Sequence, residues 1–318
     1  IGFIDNKETW YLENACGHHW LACRIPDDKY FVTGNQSRFR DYDPNDKENF
    51  LADKDLLSFA EKNGLWDPKE KFDFHKAYSK DDIADHTYNY TRVWGLQKLF
   101  TPSMKQDVDV NNFPVYAVPD SGHINIPELR KAFRFHYDGT NHDPYLHNNG
   151  HEPWRPVSIF RTTQTHLLQV RPWLPDAIGH ITYVANGMAD LGVFLPIYQG
   201  IKSFPKAYQI GDNHCTDDSA YWKFRKVMTL AMTNYNAYAP VVKERYAKLE
   251  AENDERQKEF ETRYLAIYKE KPMEAQDMLQ AFSDQILNRA LEVADELTLD
   301  LFTRLTEDTM KNYMFHGA

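Results

Sequence analysis

The stretch EPWRPVSIFRTTQTHLLQVRPWLPDAIGHITYVANGMADLGVFLPIYQGI, residues 152–201, carries the clearest fold signal in the chain. Apolar residues alternate with polar ones at Val157 and Ile159, then at Leu168 and Val170, among aromatic and β-branched types. That spacing predicts two short strands, 156–161 and 166–171, joined by a tight polar turn at 162–165. A third strand, 179–185, follows the break made by Pro172 and Pro175. Arg161 shares parity with Val157 and Ile159, so its guanidinium is expected on the buried face, where it needs a carboxylate or an oxyanion. An ion pair across the sheet is the plainer reading of that side chain.

Outward from this stretch, length and charge set bounds. A chain of 318 residues can bury a sizeable core as one large domain or two ordinary ones. A net charge of -10 argues against a nucleic-acid or anionic-membrane surface. No apolar run reaches the ~18 residues of a membrane span, and no signal peptide is recognisable. Cys16, Cys23 and Cys215 show no metal-ligand spacing, and an odd number argues against a disulfide framework, so a reducing cytoplasm is the expected setting.

The first 36 residues read as three or four strands. The chain opens with Ile1 as though already inside a sheet, with a hairpin around 5–7, and its natural beginning is expected to be missing or to sit on another polypeptide. The last of these strands ends at Gly34-Asn35-Gln36, where glycine lets the backbone approach another group closely. Asn35 would then present an amide at the mouth of a sheet, unless it is an ordinary turn residue. His18 and His19, adjacent in an expected strand, would face opposite sides and could not share an ion. Helices are expected over 49–63, stopped by Gly64, over 89–100, closed by Pro102, and in 122–138 after Pro127. The histidine-rich segment 136–151 offers His142, His147 and His151 with Asp138 and Asp143. Gly139, Pro144 and Gly150 forbid the helix that would align them, so a loop over a pocket is expected and no metal site.

From Ser219 the composition turns helical. Phe224, Val227, Met228, Ala231, Met232 and Tyr235 form a stripe ending before Pro240, 241–271 is highly charged, and Leu279 to Leu305 repeat apolar residues every three or four positions. Three helices packed on the sheet or on a second subunit follow, which divides the chain into 1–218 and 219–318. No GxGxxG loop, phosphate-binding loop or GxSxG elbow occurs.

Five blocks then carry a resemblance: ETWYLENACGHHWLACRIPDDKYFVTGNQ (8–36), YNYTRVWGLQKLF (88–100), HYDGTNHDPY (136–145), RPVSIFRTTQTHLLQVRPWLP (155–175) and GVFLPIYQGI (192–201). They resemble the dipeptidase A family, cysteine peptidases of the N-terminal-nucleophile (Ntn) hydrolase superfamily, and match its later two-thirds. The resemblance implies an α+β fold of the αββα sandwich type, antiparallel sheets between helices, with the helical tail added. It implies hydrolysis of dipeptides through a thioester acyl-enzyme, with no cofactor and no metal. In that family an N-terminal cysteine attacks the carbonyl and its own α-amino group is the base. None of the three cysteines here has a free amine, so the resemblance assigns no nucleophile within this chain. The chain alone is expected to be inactive until it meets the N-terminal Cys-bearing segment, and a homo-oligomer is expected. By likeness to the related bile-salt and penicillin amide hydrolases, Asn35 would stabilise the oxyanion and Arg161 would sit beside the thiolate. An amide hydrolase of that related type is the alternative activity, and a binding module assembled through 219–314 is a third reading.

Overall fold

The computed structural model describes residues 1–80, 82–110, 113–146 and 152–314. The chain forms two compact units, one from Ile1–Pro144 with the residues leading up to Val157, the other from Ser158–Ala318 with Tyr145. Both combine helices with antiparallel strands, so the fold is α+β.

In the first unit the strands are β1 (Gly2–Ile4), β2 (Thr9–Asn14), β3 (Trp20–Ile25), β4 (Tyr30–Phe31), β5 (Phe50–Ala52) and β6 (Tyr116–Ala117). An antiparallel sheet runs β1-β2-β3-β5, and β4 pairs with β6. The opening hairpin closes where the sequence places it. Asp5 Oδ1 accepts the N–H groups of Lys7 (2.7 Å) and Glu8 (2.9 Å), a side chain mimicking a turn carbonyl. The helices are α1 (Leu56–Lys62), α2 (Phe74–Tyr78), α3 (Asp85–Tyr88), α4 (Tyr90–Phe100) and α5 (Ile126–Arg134). The helix expected over 49–63 begins only at Leu56, because Phe50 to Ala52 pair instead with Cys23 to Leu21. α5 starts in a capping box, Asn125 accepting from the Glu128 N–H (2.9 Å) while Glu128 accepts from the Asn125 N–H (2.8 Å). Leu21, Cys23, Phe39, Leu56, Ala60 and Phe74 form the core under the sheet. His18 and His19 lie in the turn between β2 and β3, not in a strand, and their rings stack at 4.5 Å. In a turn the two side chains are not held to opposite faces, so they can share a ligand.

The second unit contains β7 (Gln164–Val170), α6 (Asp176–Gly179), β8 (His180–Asn186) and β9 (Leu195–Tyr198), followed by α7 (Ala220–Thr233), α8 (Tyr235–Ile267) and α9 (Pro272–Asn312). β8 is the middle strand, antiparallel to both neighbours, and buries Ile181, Tyr183 and Ala185 on one face. Only the second and third of the expected strands form. The segment 156–161 is irregular because the groups that a ladder would use are bonded elsewhere. Buried Arg225 of α7 donates to the carbonyls of Phe160 and Thr162, and Tyr145 donates to the Ser158 carbonyl (2.6 Å). Arg161 is exposed at the turn before β7, so the buried guanidinium there is that of Arg225. The parity of β7 is also the opposite of the expected one. Leu167, opposite Tyr183, is buried, and Leu168 is 52% exposed.

α7, α8 and α9 share this unit with β7, β8 and β9. The helix break falls at Asn234, and Pro240 lies inside α8 near its start. Among the described residues, no helix is long and apolar enough to cross a membrane. A shared carboxylate ties the sheet to α8. Arg171 grips Glu261 of α8 with both Nη atoms (2.9 and 2.8 Å), and the Tyr198 hydroxyl at the end of β9 donates to the same carboxylate (2.6 Å). Burial and the Glu261 charge push the Tyr198 hydroxyl pKa far up, so the phenol stays a donor. Removing the carboxylate strands a half-buried guanidinium and a buried phenol. Glu261→Ala is expected to destabilise the chain by about 3 kcal/mol, read as a lower urea midpoint at unchanged slope.

Candidate active site

Asn35 sits where the chain leaves β4, exposed, in a loop fixed from both sides. On its C-terminal side the carboxylate of Glu13, at the inner end of β2 and only 8% exposed, accepts from the Ser37 hydroxyl (2.6 Å) and from the N–H groups of Arg38 (2.9 Å) and Phe39 (3.2 Å). His75 of α2 contacts the Ser37 carbonyl through Nδ1 (2.8 Å), and buried Arg38 donates to the carbonyls of Phe113 and Pro114. Burial lowers the Arg38 pKa to about 10 against the pull of Glu13, which leaves the guanidinium ionised at neutral pH.

On the other side stands a polar row from the α3–α4 junction. Asp85, Asn89 and Arg92 are four and three residues apart, so successive turns bring them together. Asn89, 4% exposed, accepts the Asn35 N–H (2.7 Å) and one Arg92 Nη2 bond (2.7 Å), and donates to Asp85 (2.5 Å). Arg92 Nη2 also reaches Asn35 Oδ1 (2.8 Å), while its Nε donates to the Tyr88 carbonyl (2.7 Å). A guanidinium has donors only, so the oxygen of the Asn35 amide must face Arg92 and its NH₂ must point away. Among the described residues that Nδ2 has no partner. Gly34 permits this closeness, since a Cβ there would lie 2.8 Å from Asn89 Oδ1.

Behind the row, Tyr137 is the one non-glycine among the described residues in the left-handed region, with φ 65°. Its ring packs on Phe135 and Trp154, and its hydroxyl donates to the Arg155 carbonyl (3.0 Å). Burial pushes its pKa up to about 12 despite Thr91 and Arg92 pulling the other way. Arg155 lies 4.0 Å over the Tyr88 ring and Arg92 5.2 Å from it. The site is thus cationic and aromatic, with one amide donor held open.

The sequence singles out Asn35 but misses its neighbours. The guanidinium beside it is Arg92, whereas Arg161 belongs to the second unit. The signal available was the row Asp85, Asn89, Arg92, polar at helical spacing beside an apolar stripe. In the histidine-rich segment, His136 engages both carboxylates, Asp138 at 2.9 Å and Asp143 at 3.0 Å, and His142 stacks on Trp154 at 3.5 Å. His147 and His151 lie outside the described residues. Of the thiols, Cys23 is buried, and burial with the charge of Glu13 drives its pKa far up, so it is no nucleophile at neutral pH.

The profile of peptidase family C69 matches residues 1–248. The chain belongs to this family. A probable dipeptidase of Salmonella dublin is 52% identical over 215 residues, 67% of this chain and 48% of that protein. Dipeptidase A of Lactobacillus helveticus is 29% identical over 241 residues, covering 75% of this chain and 50% of its own length. A probable dipeptidase A of Streptococcus pyogenes serotype M3 is 27% identical over 313 residues, 95% and 67% of the two chains. The chain spans about half the length of the Salmonella and Lactobacillus proteins. Asn35, Asp85, Asn89, Arg92 and Tyr137 all fall in the part matched to peptidase family C69. Gly34→Ala is expected to drive Asn89 and Arg92 off the loop. The Asn35 amide should then exchange with deuterium at least ~10-fold faster, since opening its bond becomes easier by more than 1 kcal/mol.

Proposed function

We propose that this chain is the oxyanion-bearing part of a cysteine-type dipeptidase, an Ntn hydrolase whose fold is the αββα sandwich with an added helical region. Membership of peptidase family C69 and the dipeptidase names of its relatives support the peptide-hydrolase reading. The observation that carries the site is the fixed Asn35 amide, with its oxygen on Arg92 and its N–H side open. Such a donor, aligned before substrate arrives, stabilises the negative oxygen of a tetrahedral intermediate. The thiol that attacks the dipeptide carbonyl comes from a Cys-bearing segment outside these residues, and a thioester acyl-enzyme follows. Arg92, beside Asn35, would hold that thiol as thiolate and orient its terminal amine. Arg161, in the second unit, is the guanidinium that the family resemblance puts in the same role. Three free cysteines fit action in the cytoplasm, and the exposed Leu299 and Phe302 of α9 offer a face for a homo-oligomer.

The test uses the full-length protein carrying the nucleophile. Asn35→Ala should lower kcat on dipeptides by about 10²–10³ with little change in KM, the loss seen when one oxyanion donor is removed. Arg92→Ala should cost more than Arg161→Ala, and the reverse order returns the role to Arg161. Unchanged kcat in Asn35→Ala, or cleavage of acyl-amides such as conjugated bile salts with dipeptides left intact, would overturn the reading.

A further inference from the structure

A second cluster lies elsewhere in the first unit, at the turn Cys16-Gly17-His18-His19 between β2 and β3. Gly17, at φ 64°, makes the turn tight, and the backbone closes it through Ala15 N–H to the His19 carbonyl (2.8 Å). His19 is 5% exposed, with one face on the Phe59 ring of α1 (4.2 Å between centroids) and the other on His18. Its Nδ1 lies 2.8 Å from the Cys16 carbonyl. A carbonyl only accepts, so Nδ1 carries a ring proton, and in the neutral imidazole the lone pair is then on Nε2. This is the orientation that histidine takes as a metal ligand, its far nitrogen tied back to a backbone oxygen.

Nε2 points to Asp53, in the connection between β5 and α1, with Oδ1 at 4.0 Å. That is too long for a charged hydrogen bond of about 2.7–2.9 Å, so a gap separates the carboxylate from Nε2, and with the neutral ring both sides of it are lone-pair donors to a metal. Asp53 is held in place by its N–H to the Trp20 carbonyl (3.1 Å) and by Oδ1 accepting from Asp55 N–H (3.0 Å). The parallel ring of His18 brings a second imidazole, and one donor atom of each of the three residues lies within 4.8 Å of the other two. Donor atoms around tetrahedral zinc are about 3.4 Å apart, given bonds near 2.1 Å. Exposed His18 and half-buried Asp53 can close that difference by side-chain rotation.

We propose that His18, His19 and Asp53 form a binding site for a divalent transition ion, zinc being the best fit. Two imidazoles and one carboxylate select zinc, cobalt or nickel over magnesium and calcium, which take oxygen ligands. Three protein ligands leave one position to water. The bound ion would cross-link the β2–β3 turn to the residues that lead into α1, which already meet through the Asp53 N–H bond to the Trp20 carbonyl and the His19–Phe59 ring contact. The site does not depend on the peptidase reading.

The experiment takes the tag-free full chain, stripped with chelator, and titrates it with Zn²⁺ calorimetrically and with Co²⁺ by visible absorption. One equivalent should bind, Co²⁺ should show the intense bands of a four-coordinate site, and saturating Zn²⁺ should raise the melting temperature. His18→Ala and Asp53→Asn should each weaken Zn²⁺ at least ~10-fold and abolish the thermal shift. Because His18 is exposed, its variant separates lost binding from lost folding. No binding below millimolar Zn²⁺, or binding that both variants retain, would overturn the site.

Discussion

The geometry of the first unit depends on one buried carboxylate. Glu13 leaves the end of β2 facing inward and is met by a hydroxyl and two backbone N–H groups of residues 37–39. Those groups belong to a segment with no strand or helix of its own, and a buried N–H without an acceptor costs about 1–3 kcal/mol. The carboxylate therefore does for this loop what a neighbouring strand does for a sheet. Because residues 37–39 are fixed, the loop just before them has a defined path, and Asn89 meets the Asn35 N–H at a predictable place. The exposed amide inherits its precision from a buried carboxylate.

The second unit solves a different problem. Its three strands expose one face that α7, α8 and α9 cover, and α7 also takes over the carbonyls of the chain entering β7. Arg225 thereby stands in for a fourth strand. Arg171, Glu261 and Tyr198 then fix the helical layer against the sheet, with a bidentate ion pair and a phenol sharing one carboxylate. Apolar burial supplies most of the adhesion, and these polar ties fix the register.

What could be read in the sequence followed the strength of the local signal. The Asp5 hairpin, β8, the α4 helix before Pro102 and the long apolar repeat of α9 were legible, since turn chemistry and periodicity act over neighbouring residues. The segment 156–161 was not, because its alternation of Val157 and Ile159 is that of a strand while its carbonyls are claimed by Arg225, 65 residues away for Phe160. Phe50–Ala52 misled in the same way, where pairing with β3 overrode helical spacing. At the candidate site, the glycine neighbour and the family resemblance point to Asn35. Arg92 was passed over because it sits on a helix whose apolar stripe explained itself, and the contact that singles it out spans 57 positions. His18 and His19 face opposite sides only in a strand, and the turn that holds them does not obey strand alternation.

The backbone at Tyr137 carries one more implication. Glycine would adopt a φ of 65° freely, while an L-residue with a bulky side chain pays roughly 1–2 kcal/mol to do so. A phenol kept at such a spot must return more than that through what its ring and oxygen touch, namely two aromatic neighbours and one carbonyl. The wall behind Arg92 is for that reason stiffer than a glycine turn could make it, and the guanidinium has little room to drift from the amide it holds.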